Sequence, residues 1–258
     1  MIDIHSHILP GLDDGAQTPE DAIAMAQVAV EDGIEVMVAT PHGAELAPGW
    51  SQAEALSRVN ALEEEMARRH IPLRLVPGVE NYLTPELPQK MVEGGALPLD
   101  GTSYILVEFP LFSLPPYTEE VLFQLQIKGF TPIIAHPERN DVLQKNPDLL
   151  LRLVERGMLA QVTAASLTAA FGSLPRQAAE TMLRRRLVHI IASDAHSPQG
   201  SRSPVLSEGV REAARIVGEA AARAMVTAVP QAIVEGKAVA VEPPLAAEPR
   251  RTWAFWRR

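Results

Sequence analysis

Short apolar runs alternate with longer amphipathic stretches along almost the whole chain. Seven runs read as strands, at 1–4, 36–39, 73–76, 104–109, 131–135, 159–163 and 188–192. Between most of them apolar residues recur every three or four positions, the period of a helix that buries one face. That spacing predicts helices near 52–69, 119–128, 147–156, 175–185 and 208–224. Thr18-Pro19-Glu20-Asp21 predicts the start of another: a capping hydroxyl, proline at the first position, and acids in the first turn. Residues 83–100 have no clean period and are expected to hold a short helix and a loop. Strands alternating with helices predict a parallel sheet in a single α/β domain.

The strand-like runs lead into residues that do not belong in an apolar core. The first ends Asp3-Ile4-His5-Ser6-His7, where alternation puts His5 and His7 on one face. Thr40-Pro41-His42, Gly78-Val79-Glu80, Glu108, Ala135-His136-Pro137-Glu138-Arg139 and Ser193-Asp194-Ala195-His196 follow later runs. Ligand-type side chains after so many strands favour a closed barrel over an open sheet, because barrel sites gather at the C-terminal strand ends. The candidate metal ligands are His5, His7, Asp13 or Asp14, His42, Glu80, Glu108, His136, Asp194 and His196.

Imidazole and carboxylate without sulfur suit Mn, Zn, Fe or Ni. The set exceeds the needs of one ion, so two or three are expected, with Glu80 or Asp194 best placed to bridge. Such ions lower the pKa of water to roughly 7 and neutralise phosphoryl oxygens, so hydrolysis proceeds by metal-activated water. The chain has no cysteine, which excludes a thiolate nucleophile and disulfides. Arg139 and Arg202 are the candidates for gripping phosphate oxygens. His70, ending a helix before Pro72, is expected to cap it; His189 is expected to be a hydrogen-bonded core residue; Gly15 is expected to supply a turn.

A net charge of −9 argues against a groove that tracks nucleic-acid phosphates. It does not exclude a phosphorylated substrate, because bound cations reverse the local sign. No apolar run approaches the ~18 residues needed to span a bilayer, and the first residues lack a signal-peptide pattern, so a cytoplasmic location is expected. Residues 1–240 are expected to form the domain, and 241–258 a Pro/Ala spacer followed by a tail. That tail, 250–258, holds two of the three tryptophans and four arginines. Such residues can lie on an anionic membrane or pack against a neighbouring subunit of a homo-oligomer.

Asp3-Ile4-His5-Ser6-His7-Ile8-Leu9-Pro10, Leu12-Asp13-Asp14-Gly15, Ala39-Thr40-Pro41-His42, Glu108-Phe109-Pro110, Ile134-Ala135-His136-Pro137-Glu138-Arg139 and Ala192-Ser193-Asp194-Ala195-His196 together resemble the polymerase-and-histidinol-phosphatase (PHP) superfamily. The resemblance is strongest to its bacterial metal-dependent protein-tyrosine phosphatases of capsule and exopolysaccharide clusters, and it runs to about residue 240. It implies a distorted (β/α)7 TIM-like barrel with three divalent ions, manganese foremost and Fe, Zn or Mg compatible. By position, His5, His7, Glu80 and Asp194 would hold one ion; Glu80, Glu108 and His136 a second; and Asp14, His42 and His196 a third. Asp14 is preferred to Asp13 on this ground alone. Glu108, where many superfamily members carry histidine, is similar to the tyrosine-phosphatase branch. Arg139 matches the family's phosphate-binding arginine, and Arg202 matches a second after a one-residue shift; both are thereby implied in catalysis and substrate binding. The implied partner is the phosphotyrosine tail of a bacterial tyrosine autokinase that governs polysaccharide synthesis, with no nucleic acid involved.

Three rival readings remain at this point. One is another phosphatase of the superfamily, such as a histidinol phosphatase, or a phosphodiesterase. An amidohydrolase also begins with His-x-His, but commonly needs a carboxylated lysine at a mid-barrel strand end, and none of the four lysines falls there. The third is a kinase- or membrane-docking module with little turnover, motivated by the tail.

Overall fold

The structure is a computed structural model that describes residues 1–47 and 51–246. Its strands are β1 (Ile2–Ser6), β2 (Val36–Ala39), β3 (Arg74–Pro77), β4 (Glu80–Tyr82), β5 (Tyr104–Glu108), β6 (Thr131–Ala135), β7 (Leu159–Thr163) and β8 (Ile190–Ala192). All pair in parallel, in two sheets of order β1-β2-β3 and β4-β5-β6-β7-β8. Most strands are buried on both faces, which is why they read as nearly continuous apolar runs. Alternate residues serve two cores. Val38, Leu106, Ile133, Leu159 and Ile190 meet one another inside the ring of strands, while Met37, Ile105, Ile134, Ala160 and Ile191 face the surrounding helices.

The sheets join at two seams. At one, β3 and β4 are separated only by Gly78 and Val79, and an isolated bridge pairs His42 with Glu80. At the other, Asp194 N–H donates to His5 O (3.0 Å) and His7 N–H to Ala195 O (2.8 Å). Candidate ligands therefore lie along both seams. Gly78 is required there by close approach, since a Cβ would come within 2.9 Å of Val38 and Leu99 side chains.

The helices are α1 (Pro19–Glu31), α2 (Gln52–Arg68), α3 (Leu87–Glu93), α4 (Thr118–Ile127), α5 (Asp141–Lys145), α6 (Asp148–Glu155), α7 (Ala164–Leu167), α8 (Ser173–Arg184), α9 (Ser207–Val217), α10 (Glu219–Ala224) and α11 (Ala228–Val234). Thr18 caps α1 through a reciprocal hydrogen-bond pair with Asp21, as its sequence predicts. The expected short helix in 83–100 is α3. The expected helix at 208–224 is instead two, α9 and α10, broken at Gly218 with φ 84°. The strand expected at 188–192 is shorter, and β4 was not expected: three residues beside a break carry too little periodic signal to be read. Ile233 and Val234 of α11 pack into the inner core and close the barrel at the end opposite the candidate ligands.

No described helix is long and apolar enough to cross a membrane. The tail 250–258 lies outside the described residues.

Candidate metal centre

A register shift at the end of β1 builds the floor of the site. Ile2 and Ile4 fill the inner core, and strict alternation would then send His5 outward. Between Asp3 and Ser6 the pairing with β2 slips by one residue. The slip re-aims the strand, so His5 and His7 follow Ile4 onto the interior side. Asp3 holds this irregularity together: its fully buried carboxylate accepts from His5 N–H (3.3 Å), Ser193 N–H (3.0 Å) and Ser193 Oγ–H (2.5 Å). Burial outweighs those bonds and raises its pKa to about 6.

Glu80 is the hub. Its oxygens lie 3.3 Å from His5 Nε2, 3.4 Å from His7 Nε2, 3.1 Å from His42 Nδ1 and 2.9 Å from His136 Nε2. Asp194 reaches the same centre, 3.5 Å from His5 Nε2 and 3.6 Å from His7 Nε2. Asp14 stands on the open side, 3.2 Å from His196 Nε2 and 3.5 Å from His42 Nε2. Glu108 lies 3.7 Å from His42 Nδ1 and 3.9 Å from His136 Nε2. All nine residues expected as ligands thus come together. Three groupings are compact enough to share an ion: His7–Asp14–His42–His196, His5–His7–Glu80 and His42–Glu80–Glu108. His136 and Asp194 fall outside these three, although both touch the same carboxylate and imidazole groups.

Neighbouring residues fix which nitrogen of each ring faces inward. His7 Nδ1 donates to Asp13 Oδ2 at 2.7 Å, and His5 Nδ1 to Gln161 Oε1 at 3.0 Å. His196 Nδ1 donates to the Asp194 carbonyl at 2.9 Å. With Nδ1 carrying the proton, all three present an Nε2 lone pair to the cluster. Asp13 and Asp14 therefore divide the work between them. Asp14 faces the cluster, while Asp13 orients His7 and also accepts from the backbone N–H of His42 (2.9 Å) and Gly15 (2.9 Å). Gly15 is not in a left-handed conformation, so the turn expected of it is not what requires glycine. A Cβ there would sit 2.0 Å from His7 O, so close approach demands it. His136 (φ 30°) and Asp194 (φ 52°) are themselves in the left-handed region, a strained conformation that surrounding structure sustains at functional sites.

This donor set fits divalent cations. His5 Nε2 and His7 Nε2 face each other at 3.3 Å, close enough to share either a proton or a cation between them. Buried His42 Nδ1, Glu108 Oε2 and His196 Nε2 have no hydrogen-bond partner among the described residues. Burial alone would lower His7, yet hydrogen bonds and charge from Asp13 and Glu80 push it up to about 10. Burial would raise Glu80 and Asp194, but the imidazoles around both, and Arg202 beside Asp194, hold them low. The cluster calls for positive charge.

Two arginines stand beside the cluster. Arg139 Nη1 bonds Asp194 Oδ2 at 2.5 Å, and its guanidinium lies over the Phe171 ring at 5.0 Å. Arg202 Nη2 lies 3.1 and 3.2 Å from the two Asp194 oxygens. His189 lies away from the site, buried, its Nδ1 accepting from Ala160 N–H at 3.1 Å, as expected of a core residue. His70 is exposed, with φ 55° just after α2. Asp3, Gln161 and Phe171 carry no role in the sequence pattern; a glutamine inside the apolar run Leu-Ala-Gln-Val-Thr is the one signal it offers.

A ring of parallel strands with a buried imidazole–carboxylate cluster at its C-terminal end, flanked by arginines, defines a metal-dependent hydrolase that can act on phosphate esters. Residues 1–235 match the family described as capsular polysaccharide synthesis, CpsB/CapC, and the chain belongs to that family. It is 41% identical over 197 residues to the tyrosine-protein phosphatase YwqE of Bacillus subtilis, covering 76% of this chain and 78% of YwqE. It is 29% identical over 242 residues to the tyrosine-protein phosphatase CpsB of Streptococcus pneumoniae, covering 91% and 98% of the two chains. A crystal structure from work on YwqE and that CpsB, described there as unique metal-dependent tyrosine phosphatases, superposes with a TM-score of 0.91. That match has 34% identity and covers 96% of this chain and 100% of the other. A histidinol phosphate phosphatase from Lactococcus lactis shares the fold at a TM-score of 0.55 with 12% identity.

Proposed function

We propose that this protein is a metal-dependent protein-tyrosine phosphatase that hydrolyses phosphotyrosine, acting in the cytoplasm on a bacterial tyrosine autokinase of capsule or exopolysaccharide synthesis. One observation carries the reading: ligand-type side chains from separate strand ends converge on Glu80, and two arginines converge on Asp194 beside them. The relatives named as tyrosine-protein phosphatases supply the substrate class. Three divalent ions, manganese foremost, would suit the donor set and would be held by the residues that the family resemblance implies, Glu80 among them.

Bound cations would supply a lowered pKa for water and neutralisation of the phosphoryl oxygens. The protein's own part is positioning. Asp13, Gln161 and the Asp194 carbonyl hold three rings with Nε2 inward. Arg139 and Arg202, now paired with Asp194, exchange part of that contact for the non-bridging phosphate oxygens, which suit a planar guanidinium. The departing tyrosine oxygen has a pKa of about 10 and leaves with little protonic help, so no dedicated general acid is needed.

Access is graded. The His5, His7, Glu80 and Asp194 side chains are 0–1% exposed, His42 and Arg202 are 15% and 30%, and Asp14 is 61%. The site is deep at one end and open at the other, which suits a phosphorylated side chain on an extended segment. Residues 1–240 make the catalytic domain in this reading. The test is phosphate release from a phosphotyrosine peptide, the matching phosphoserine peptide and histidinol phosphate, each with Mn²⁺ and with chelator. Preference for the first, lost on chelation, is expected; preference for histidinol phosphate would replace this reading with that of the sister enzyme.

A further inference from the structure

We infer that Phe112 is a specificity-determining residue that packs against the aromatic ring of the phosphotyrosine; this rests on the phosphatase reading above. Phe112 is 82% exposed, the most exposed large apolar side chain among the described residues. An isolated apolar residue on a surface is ordinary, but this one is not on a loose segment. Its loop is pinned on three sides. Asn140 Nδ2 donates to Pro110 O (2.7 Å) and Ser113 O (2.9 Å), and Asp141 N–H donates to Leu111 O (2.8 Å). Asn140 is 2% exposed and is itself fixed, its Oδ1 accepting from Val142 and Leu143 N–H. The backbone on both sides of Phe112 is thus clamped while its ring is left in water.

The clamp adjoins Arg139 in the chain. Asn140 directly follows Arg139, and Phe112 comes four residues after Glu108 at the end of β5. Strands β5 and β7 flank β6 in the sheet. Arg139, which follows β6, is therefore bracketed by the loops that carry Phe112 and Phe171. Phe171 already has a partner, the Arg139 guanidinium on its face. Phe112 has none. A phosphotyrosine held by Arg139 carries its ring immediately outside the phosphate grip, at the level of these loops. A serine phosphate offers no ring there.

The experiment uses the full-length, Mn²⁺-supplied protein and two peptides identical except for phosphotyrosine or phosphoserine. For Phe112→Ala, the ratio of kcat/KM between them is expected to fall about tenfold, the scale of a lost aromatic contact and its burial. Most of the change is expected in KM. Affinity for a peptide carrying non-hydrolysable phosphonomethyl-phenylalanine, read by calorimetry, is expected to weaken by a similar factor, and Phe112→Tyr to restore both. An unchanged ratio overturns the inference, whether both rates stay the same or fall together, because the residue would then act on no ring. Wild-type protein with no preference for phosphotyrosine would overturn the phosphatase reading first, and this inference with it.

Discussion

Replacing Asp13 by asparagine isolates the orientation of one imidazole from everything else in the site. The Asp13 carboxylate is 1% exposed and accepts three N–H groups: Oδ2 from His7 Nδ1 at 2.7 Å and His42 N at 2.9 Å, and Oδ1 from Gly15 N at 2.9 Å. Asparagine keeps the shape but replaces one acceptor by a donor. If its NH2 faces His7, Nδ1 must accept and the ring proton moves to Nε2, the atom that faces His5 and Glu80. Turned the other way, the NH2 opposes the Gly15 N–H. Loss of a carboxylate that orients a ligating imidazole costs 10–100-fold in metal affinity, about 1.4–2.7 kcal/mol. The assay is Mn²⁺ titration of turnover with a phosphotyrosine substrate, alongside bound metal measured by equilibrium dialysis. Asp13→Asn is expected to raise half-saturating Mn²⁺ 10–100-fold while full metal stoichiometry returns at high concentration. Asp14→Ala, which removes a proposed ligand, is expected to lose metal that no excess restores. An unchanged Mn²⁺ requirement in Asp13→Asn would refute the division of labour between the two aspartates.

Other consequences follow from particular contacts. Burial pushes the His189 imidazole down to about 4 from the ordinary 6.5. As pH falls the unfolded chain binds this proton first, so the protein loses stability between pH 6.5 and 4, by about 3 kcal/mol. Urea titrations over that range should show a smaller loss in His189→Gln; equal slopes would contradict a buried neutral ring. Gly15→Ala forces a Cβ into the His7 carbonyl and is expected to cost about 2 kcal/mol or more in thermal unfolding, together with weakened Mn²⁺ binding. Phe171→Ala removes the surface beneath Arg139; inhibition by inorganic phosphate should weaken about two- to fivefold, with recovery in Phe171→Tyr, if the guanidinium depends on that ring.

The α/β alternation of parallel strands and helices was legible because the strands are buried on both faces and the helices on one, so period and length separated most of them. The site was legible for a different reason: histidines and acids at the ends of apolar runs have no place in a core, and all nine proposed ligands come together in one cluster in which Glu80 touches four imidazoles. What the sequence withheld depends on through-space relations. The slip between Asp3 and Ser6 leaves no mark in composition, yet it decides that His5 and His7 face inward after Ile4. Asp13 and Asp14 are adjacent and chemically identical; the family resemblance prefers Asp14, and the contact of Asp13 with His7 Nδ1 and of Asp14 with His196 and His42 gives each its role. Gly15 read as a turn because glycine usually is one, whereas the constraint is contact with a residue eight positions earlier. Short elements such as β4 and α7 are set by their neighbours rather than by any period of their own.

If this cluster holds the cations that make phosphotyrosine hydrolysis possible, removing them abolishes turnover. The most direct test is phosphate release from a phosphotyrosine peptide by protein stripped of metal by exhaustive chelation, then titrated with Mn²⁺. The stripped protein is expected to show no turnover and to recover as several equivalents bind. Full activity without metal, or several equivalents bound undiminished by His7→Ala and Glu80→Ala, would contradict it.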